Sequence, residues 1–211
     1  MRPIKISIAP VTASLTGFRS NATGVDFTLT VTAPTDGLAH KVTIKNDSAT
    51  DHSAKTVIIT GTDADGNAQV ESGATTVLPA GSATVTYTKY FKTVTSVVPS
   101  ATIGADTMDI GWAAPSVTQT IPIEWRSNAT AALSCVVTGT INFTPQQIPA
   151  NVWNETNVCN NGAWNTAIAA GTATVAGTAT LGSTAVRILT NTVTNGATID
   201  FYISQPSGFV I

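Results

Sequence analysis

Wherever a hydrophobic period can be read in this chain, it is two. Ala83, Val85 and Tyr87 recur at alternate positions, as do Met108, Ile110 and Trp112, and Val25, Phe27, Leu29 and Val31 alternate with Asp26, Thr28, Thr30 and Thr32. That spacing puts the apolar side chains on one face of a pleated strand. The residue types that set it, β-branched and aromatic, suit such a half-buried surface. Val42 with Ile44 and Val57 with Ile59 repeat the pattern, and no stretch carries the 3.6-residue period of an amphipathic helix. The sequence therefore predicts an all-β protein with little or no helix.

Turn chemistry separates these segments at short intervals, as in Pro34-Thr35-Asp36-Gly37, Asp63-Ala64-Asp65-Gly66-Asn67 and Pro79-Ala80-Gly81. Short strands at near-regular spacing with such turns predict β-sandwiches, Ig-like or jelly-roll-like. The chain of 211 residues has room for two, and the break at Ala113-Ala114-Pro115-Ser116 sets the expected domains at 1–115 and 116–211. In the second half, Leu133, Cys135, Val137, Ile141 and Phe143 share a face of one long strand or of two strands joined at Gly139. Val186 with Ile188, and Ile199 with Phe201 and Ile203, supply further inward faces.

Charged residues make up only 10% of the chain, and after Ala114 just five remain: Glu124, Arg126, Glu155, Arg187 and Asp200. Ordinary solvated domains carry about a quarter. A surface of short polar and small apolar side chains loses little on desolvation, so the second half is expected to be covered by neighbours. The stretch from Gly171 to Gly182, rich in Thr and Ala and without charge, is an edge that invites pairing. A net charge of −2 gives no field to gather nucleic acid. No run approaches the ~18 apolar residues of a membrane span, and Met1–Ile8 lacks a signal-peptide core, so synthesis in a cytoplasm is expected. In that reducing setting Cys135 and Cys159 are expected as free, buried thiols.

Candidates for chemistry are few. His40 and His52 are the only histidines, and in polar stretches they read as exposed loop or strand-end residues. Asp51-His52-Ser53 cannot act as a triad, because adjacent residues of an extended chain point to opposite faces. Asp63, Asp65 and Asn67 place oxygens at alternate positions around Gly66 but lack the distal glutamate of a calcium loop, so a plain hairpin turn is the better reading. Glu124 and Asp200 would serve a glycosidase only if they converged, and Glu124 pairs more naturally with Arg126 two residues on. No cofactor, metal or catalytic residue is expected. The segment from Asn151 to Asn165 holds six asparagines with Trp153 and Trp164 and reads as a long contact-making loop. Trp153, Trp164, Asn154, Asn157 and Asn161 are its candidate binding residues.

Two blocks of sequence carry a resemblance. Gly24 to His40, Thr60 to Asn67 and Thr88 to Val94 resemble β modules of tailed-bacteriophage virion proteins. Ile123-Glu124-Trp125-Arg126, Val136 to Thr144, Ala185-Val186-Arg187-Ile188 and Ala197 to Ile203 resemble small β domains encoded near phage head genes. The resemblance implies a virion structural protein rather than an enzyme. The expectation is a capsid decoration or cement protein that forms a homotrimer or another cyclic oligomer and binds the major capsid protein. A receptor- or carbohydrate-binding module of a tail fibre or spike is the alternative.

Overall fold

The computed structural model describes residues 3–123, 130–149, 151–153, 155–180 and 182–205. It is almost wholly β, and the one helix among the described residues is the single turn α1, Val158–Asn161. The chain divides into two compact units, one of residues 13–116 and one that joins residues 1–12 to 117–211. The expected division into 1–115 and 116–211 had no break near residue 12, whereas here the N-terminal strand belongs to the sheet of the C-terminal unit.

That strand, β1 (Ile4–Ile8), pairs antiparallel with β15 (Thr198–Ser204) from Ile4↔Ile203 to Ile8↔Ile199. The other strands of its unit are β9 (Ile121–Pro122), β10 (Ala132–Thr138), β11 (Ile141–Ile148), β12 (Asn165–Thr166), β13 (Val175–Thr178) and β14 (Ala185–Val193). One sheet has the order β1-β15-β10-β13, and the other runs β9-β14-β11-β12. Taken as strands one to eight of the unit, first pairs with eighth, second with seventh, third with sixth and fourth with fifth. That is an antiparallel ladder rolled up on itself, the strand order of an eight-stranded jelly roll with its four-plus-four sheets. The other unit is inserted after its first strand.

Inward side chains of this jelly roll follow the period-two reading. Leu133, Cys135, Ile141, Phe143, Ile188, Ile199, Phe201 and Ile203 are all buried. Gly139, at φ +82°, ends β10, so the run from Leu133 to Phe143 is two strands in two different sheets. The Thr/Ala stretch yields one strand, β13, at the edge of its sheet.

The unit of residues 13–116 holds β2 (Ser14–Ala22), β3 (Ala39–Asn46), β4 (Val57–Thr62), β5 (Ala68–Glu71), β6 (Thr84–Phe91), β7 (Thr93–Pro99) and all but the last residue of β8 (Met108–Val117). Within this unit β2, β8, β3 and β6 are successive neighbours in one layer, and β5, β4 and β7 make the other. Seven antiparallel strands split four and three make this an Ig-like sandwich, but its last strand lies between the first two instead of joining the three-stranded sheet. Phe18, Ile44, Ile59, Leu78, Phe91, Met108 and Ile110 fill the core, and Trp112 meets Phe18 edge-on with centroids 5.1 Å apart. Gly17 leaves room for the Trp112 ring, since a Cβ there would lie 2.1 Å from it.

The clearest alternating run in the sequence is not a strand. Phe27 is buried, but Val25 and Val31 are 56% and 42% exposed. Its backbone bonds are divided: Phe27 N–H donates to Val97, Thr30 and Val31 N–H to Phe18, and Thr32 accepts from Val94. The segment is an extended tie between β2 and β7, so no continuous ladder forms along it. No helix among the described residues is long and apolar enough to cross a membrane.

Candidate functional site

The polar loop after β11 is built around one buried cation. Arg187 points from β14 to the outer face of its sheet, opposite Gln146 of β11. Its Nε donates to Gln146 Oε1 at 2.7 Å, one terminal nitrogen donates to the Cys159 carbonyl at 2.7 Å, and the guanidinium sits 4.1 Å from the centre of the Trp164 ring. Trp164 in turn donates from Nε1 to the Val158 carbonyl at 3.0 Å and packs with Val152 on Ile148, Val158 and Ala185. The α1 turn is thereby fixed over the sheet. It starts from Asn157 in the left-handed region, whose carbonyl accepts from Asn160 and Asn161.

This separates the candidate residues. Trp164 is a structural pin with its ring engaged by Arg187. Trp153 is 56% exposed, its backbone N–H held by the Asn151 side chain, and its ring is available to a partner. Asn157 shapes the turn and Asn161 is exposed. Asn154 lies outside the described residues. Sequence reasoning left out Arg187 and Gln146, whose pairing across β11 and β14 requires the register, although a lone arginine in an uncharged stretch was a legible signal.

Both histidines are buried, contrary to the exposed placement expected for them. His40 Nδ1 lies 2.8 Å from the Ala113 carbonyl and Nε2 2.9 Å from the Asp36 carboxylate. Each ring nitrogen thus faces an oxygen of another element or turn. The contact ties the turn at Asp36-Gly37 to β3 and β8. At His52, Lys55 Nζ donates to Nδ1 at 2.8 Å, so Nε2 carries the proton and donates to Asp106 at 2.9 Å. Hydrogen bonds from Thr50 and then His52 hold the Asp106 carboxyl below its ordinary range. Asp51 accepts from Ser53 N–H, a local turn with no link to His52 as a triad member.

Asp63 is buried, and its Oδ1 accepts the backbone N–H groups of Asp65 and Asn67, both at 2.9 Å. The carboxylate thus closes the turn. Glu71, also buried, accepts from Thr88 N–H and Oγ1 and from Lys89 N–H. Beside it, Gln69 donates to the Tyr90 carbonyl, so side chains of β5 satisfy the backbone of β6. Asp200 accepts from Ser7 Oγ at 2.6 Å and pairs with Lys5 at 3.0 Å. Those bonds, Ser7 first, lower its pKa, which suits a standing ion pair better than a proton donor. Glu124, Trp125, Arg126 and the Asn128 sequon lie outside the described residues. Cys135 and Cys159 are both buried and neither is in a disulfide, and no cluster of three His, Cys, Asp or Glu side chains that could hold a metal occurs among the described residues.

Comparison with known proteins adds little. No family description matches the chain, and no curated protein matches it. Among solved structures it is weakly similar to the major capsid protein P2 from bacteriophage PM2, at 9% identity over 98% of this chain and 99% of that one, with a TM-score of 0.21. A likeness at that level carries no argument about fold or role.

Proposed function

We propose that the protein is a structural component of a phage virion without enzymatic activity, a decoration or cement protein that self-associates as a cyclic oligomer and binds the major capsid protein lattice. The observation that carries this reading is an eight-stranded jelly roll with an almost uncharged surface and a second β-sandwich inserted after its first strand. Jelly rolls serve as capsid proteins, lectins and cupins. The chain has no histidine in the jelly roll from which a cupin could build a metal centre. Its uncharged exterior suits extended permanent contacts, because little is lost on desolvating it.

The decisive measurement is the number of copies per purified particle by quantitative mass spectrometry against the major capsid protein. Hundreds fit the decoration reading. A dozen or fewer move the protein to the neck, tail or fibres. One observation favours a receptor- or carbohydrate-binding role there: Trp153 is exposed in an asparagine-rich segment of the sequence. On that reading Trp153→Ala abolishes glycan or cell binding while assembly survives, and absence of glycan binding by the intact protein removes it.

A further inference from the structure

The edges of the two jelly-roll sheets are unequal. β9 and β12 are two residues long, and β9 contains Pro122. β1 carries Lys5, in its ion pair with Asp200. Shortness, proline and charge are the devices that blunt a sheet edge. β13, four residues long, has neither charge nor proline: from Thr156 to Val186 the sequence contains no charged residue and no proline.

The register shows what this edge offers. β13 pairs with β10 through Ala132↔Thr178, Leu133↔Gly177, Ser134↔Ala176 and Cys135↔Val175, and the neighbouring rung has Ala179 N–H donating to Ala131 at 2.9 Å. Hydrogen-bonded and non-bonded rungs alternate in an antiparallel pair. Val175 and Gly177 therefore turn their backbone groups toward β10, while Ala176 and Thr178 turn theirs outward, and both of these residues are exposed. The strand is braced from within, because Ile168 fills the space over Gly177, where a Cβ would lie 2.9 Å from its side chain.

We infer that β13 pairs antiparallel with β13 of a second copy about a twofold axis at Gly177. In that register Ala176 of each copy faces Thr178 of the other, and the two outward rungs exchange four backbone hydrogen bonds. The contact is isologous, as a twofold requires. It brings together only Ala, Gly and Thr, so no like charges oppose it, and it joins two four-stranded sheets into one of eight strands. A second copy suits this edge because it presents the same uncharged Ala-Gly-Thr strand, so the contact needs no counter-charge from a partner and its two outward rungs meet their equivalents about Gly177. The inference rests on the self-association in the function proposed above and not on its virion location.

The test is sedimentation of the full chain beside two variants. Ala176→Pro removes one outward N–H per copy and none of the bonds to β10, so two of the four contact bonds are lost. Thr178→Lys adds a charge at an exposed position of the same edge. The wild-type chain is expected to be a dimer or a larger assembly containing one, and each variant that keeps its circular dichroism and thermal midpoint is expected to weaken the dimer at least about tenfold. Thr178→Lys decides the matter should the proline variant not fold. Wild-type protein that sediments as a monomer overturns both the contact and the self-association. An oligomer untouched by a folded variant overturns the β13 contact alone. The virion location stands or falls separately, on the copy number per particle.

Discussion

Arg187 and Trp164 form a stacked pair, the guanidinium 4.1 Å from the ring centre, and through it the loop after β11 is held to the jelly roll. The two tryptophans of that loop should therefore respond oppositely to truncation. Trp164→Ala opens a cavity beside Ile148, Val158 and Ala185 and leaves the buried Arg187 without its ring. A loss of about 2–4 kcal/mol is expected, at or just below the usual range for a fully buried tryptophan. Trp153→Ala removes an exposed ring and should stay within about 0.5 kcal/mol of wild type. Urea unfolding of the two variants checks this, and equal losses would refute the division between pin and contact residue.

Both thiols should be silent in the native state. Burial pushes the Cys135 thiol up to about 12, and Cys159 is also buried, out of reach of a reagent in solution. A thiol-reactive chromophore at pH 8 should report no cysteine in folded protein and two after denaturation. A thiol whose pKa is raised by folding stabilises the fold below its unfolded value of about 8.5, and that contribution is lost as pH rises toward its folded value. Cys135→Ala should accordingly show a shallower fall in thermal midpoint above pH 9.

Much of the fold was legible because burial in a sandwich follows strand period. Val42, Ile44, Val57, Ile59, Met108, Ile110, Leu133, Cys135, Ile199 and Phe201 all point inward as the alternation predicts. The failures share one cause, which is that pairing is not written in local sequence. Val25 to Val31 alternates well, yet its backbone serves two different strands and forms no ladder with either. Ile4, Ile6 and Ile8 alternate over only five residues, and their partner lies at Ile199 to Ile203, beyond an entire inserted unit. His40 and His52 sit in polar surroundings in sequence, but their burial depends on Asp36, Ala113 and Asp106, the last two of which are remote. In the loop from Asn151 to Asn165, the two tryptophans look alike in sequence, and only the register of Arg187 against Gln146 distinguishes Trp164 from Trp153.

Acid should weaken the inserted unit through Asp106. Its carboxyl is held below the ordinary range by hydrogen bonds from Thr50 and His52. A carboxyl with a depressed folded-state pKa contributes stability above its unfolded value near 3.9, lost as pH falls through the folded value. Asp106→Asn should lower the thermal midpoint at pH 7, and the gap to wild type should close as pH approaches 3. A gap that is constant with pH would mean that the carboxylate charge contributes nothing.

The insertion makes the strongest claim about architecture. Ser14, at the start of the inserted unit, is the register partner of Trp112, close to its end, so the two ends of that unit are neighbours on adjacent strands. A unit whose ends meet can be removed without pulling the host apart. Joining residue 12 to residue 117 through a short Gly-Ser link should leave β1 paired with β15, and residues 13–116 alone should fold as a sandwich with its own core. Truncation of residues 1–8 is a different change, because it strips Ile4, Ile6 and Ile8 from the jelly roll and uncovers the full edge of β15. The excised jelly roll should therefore unfold cooperatively near the wild-type midpoint, while the truncated chain, although it loses far fewer residues, should lose the jelly-roll transition or aggregate. Calorimetry of the three proteins reads this directly. A truncated chain as stable as wild type would show that β1 is dispensable and that the jelly roll begins with β9.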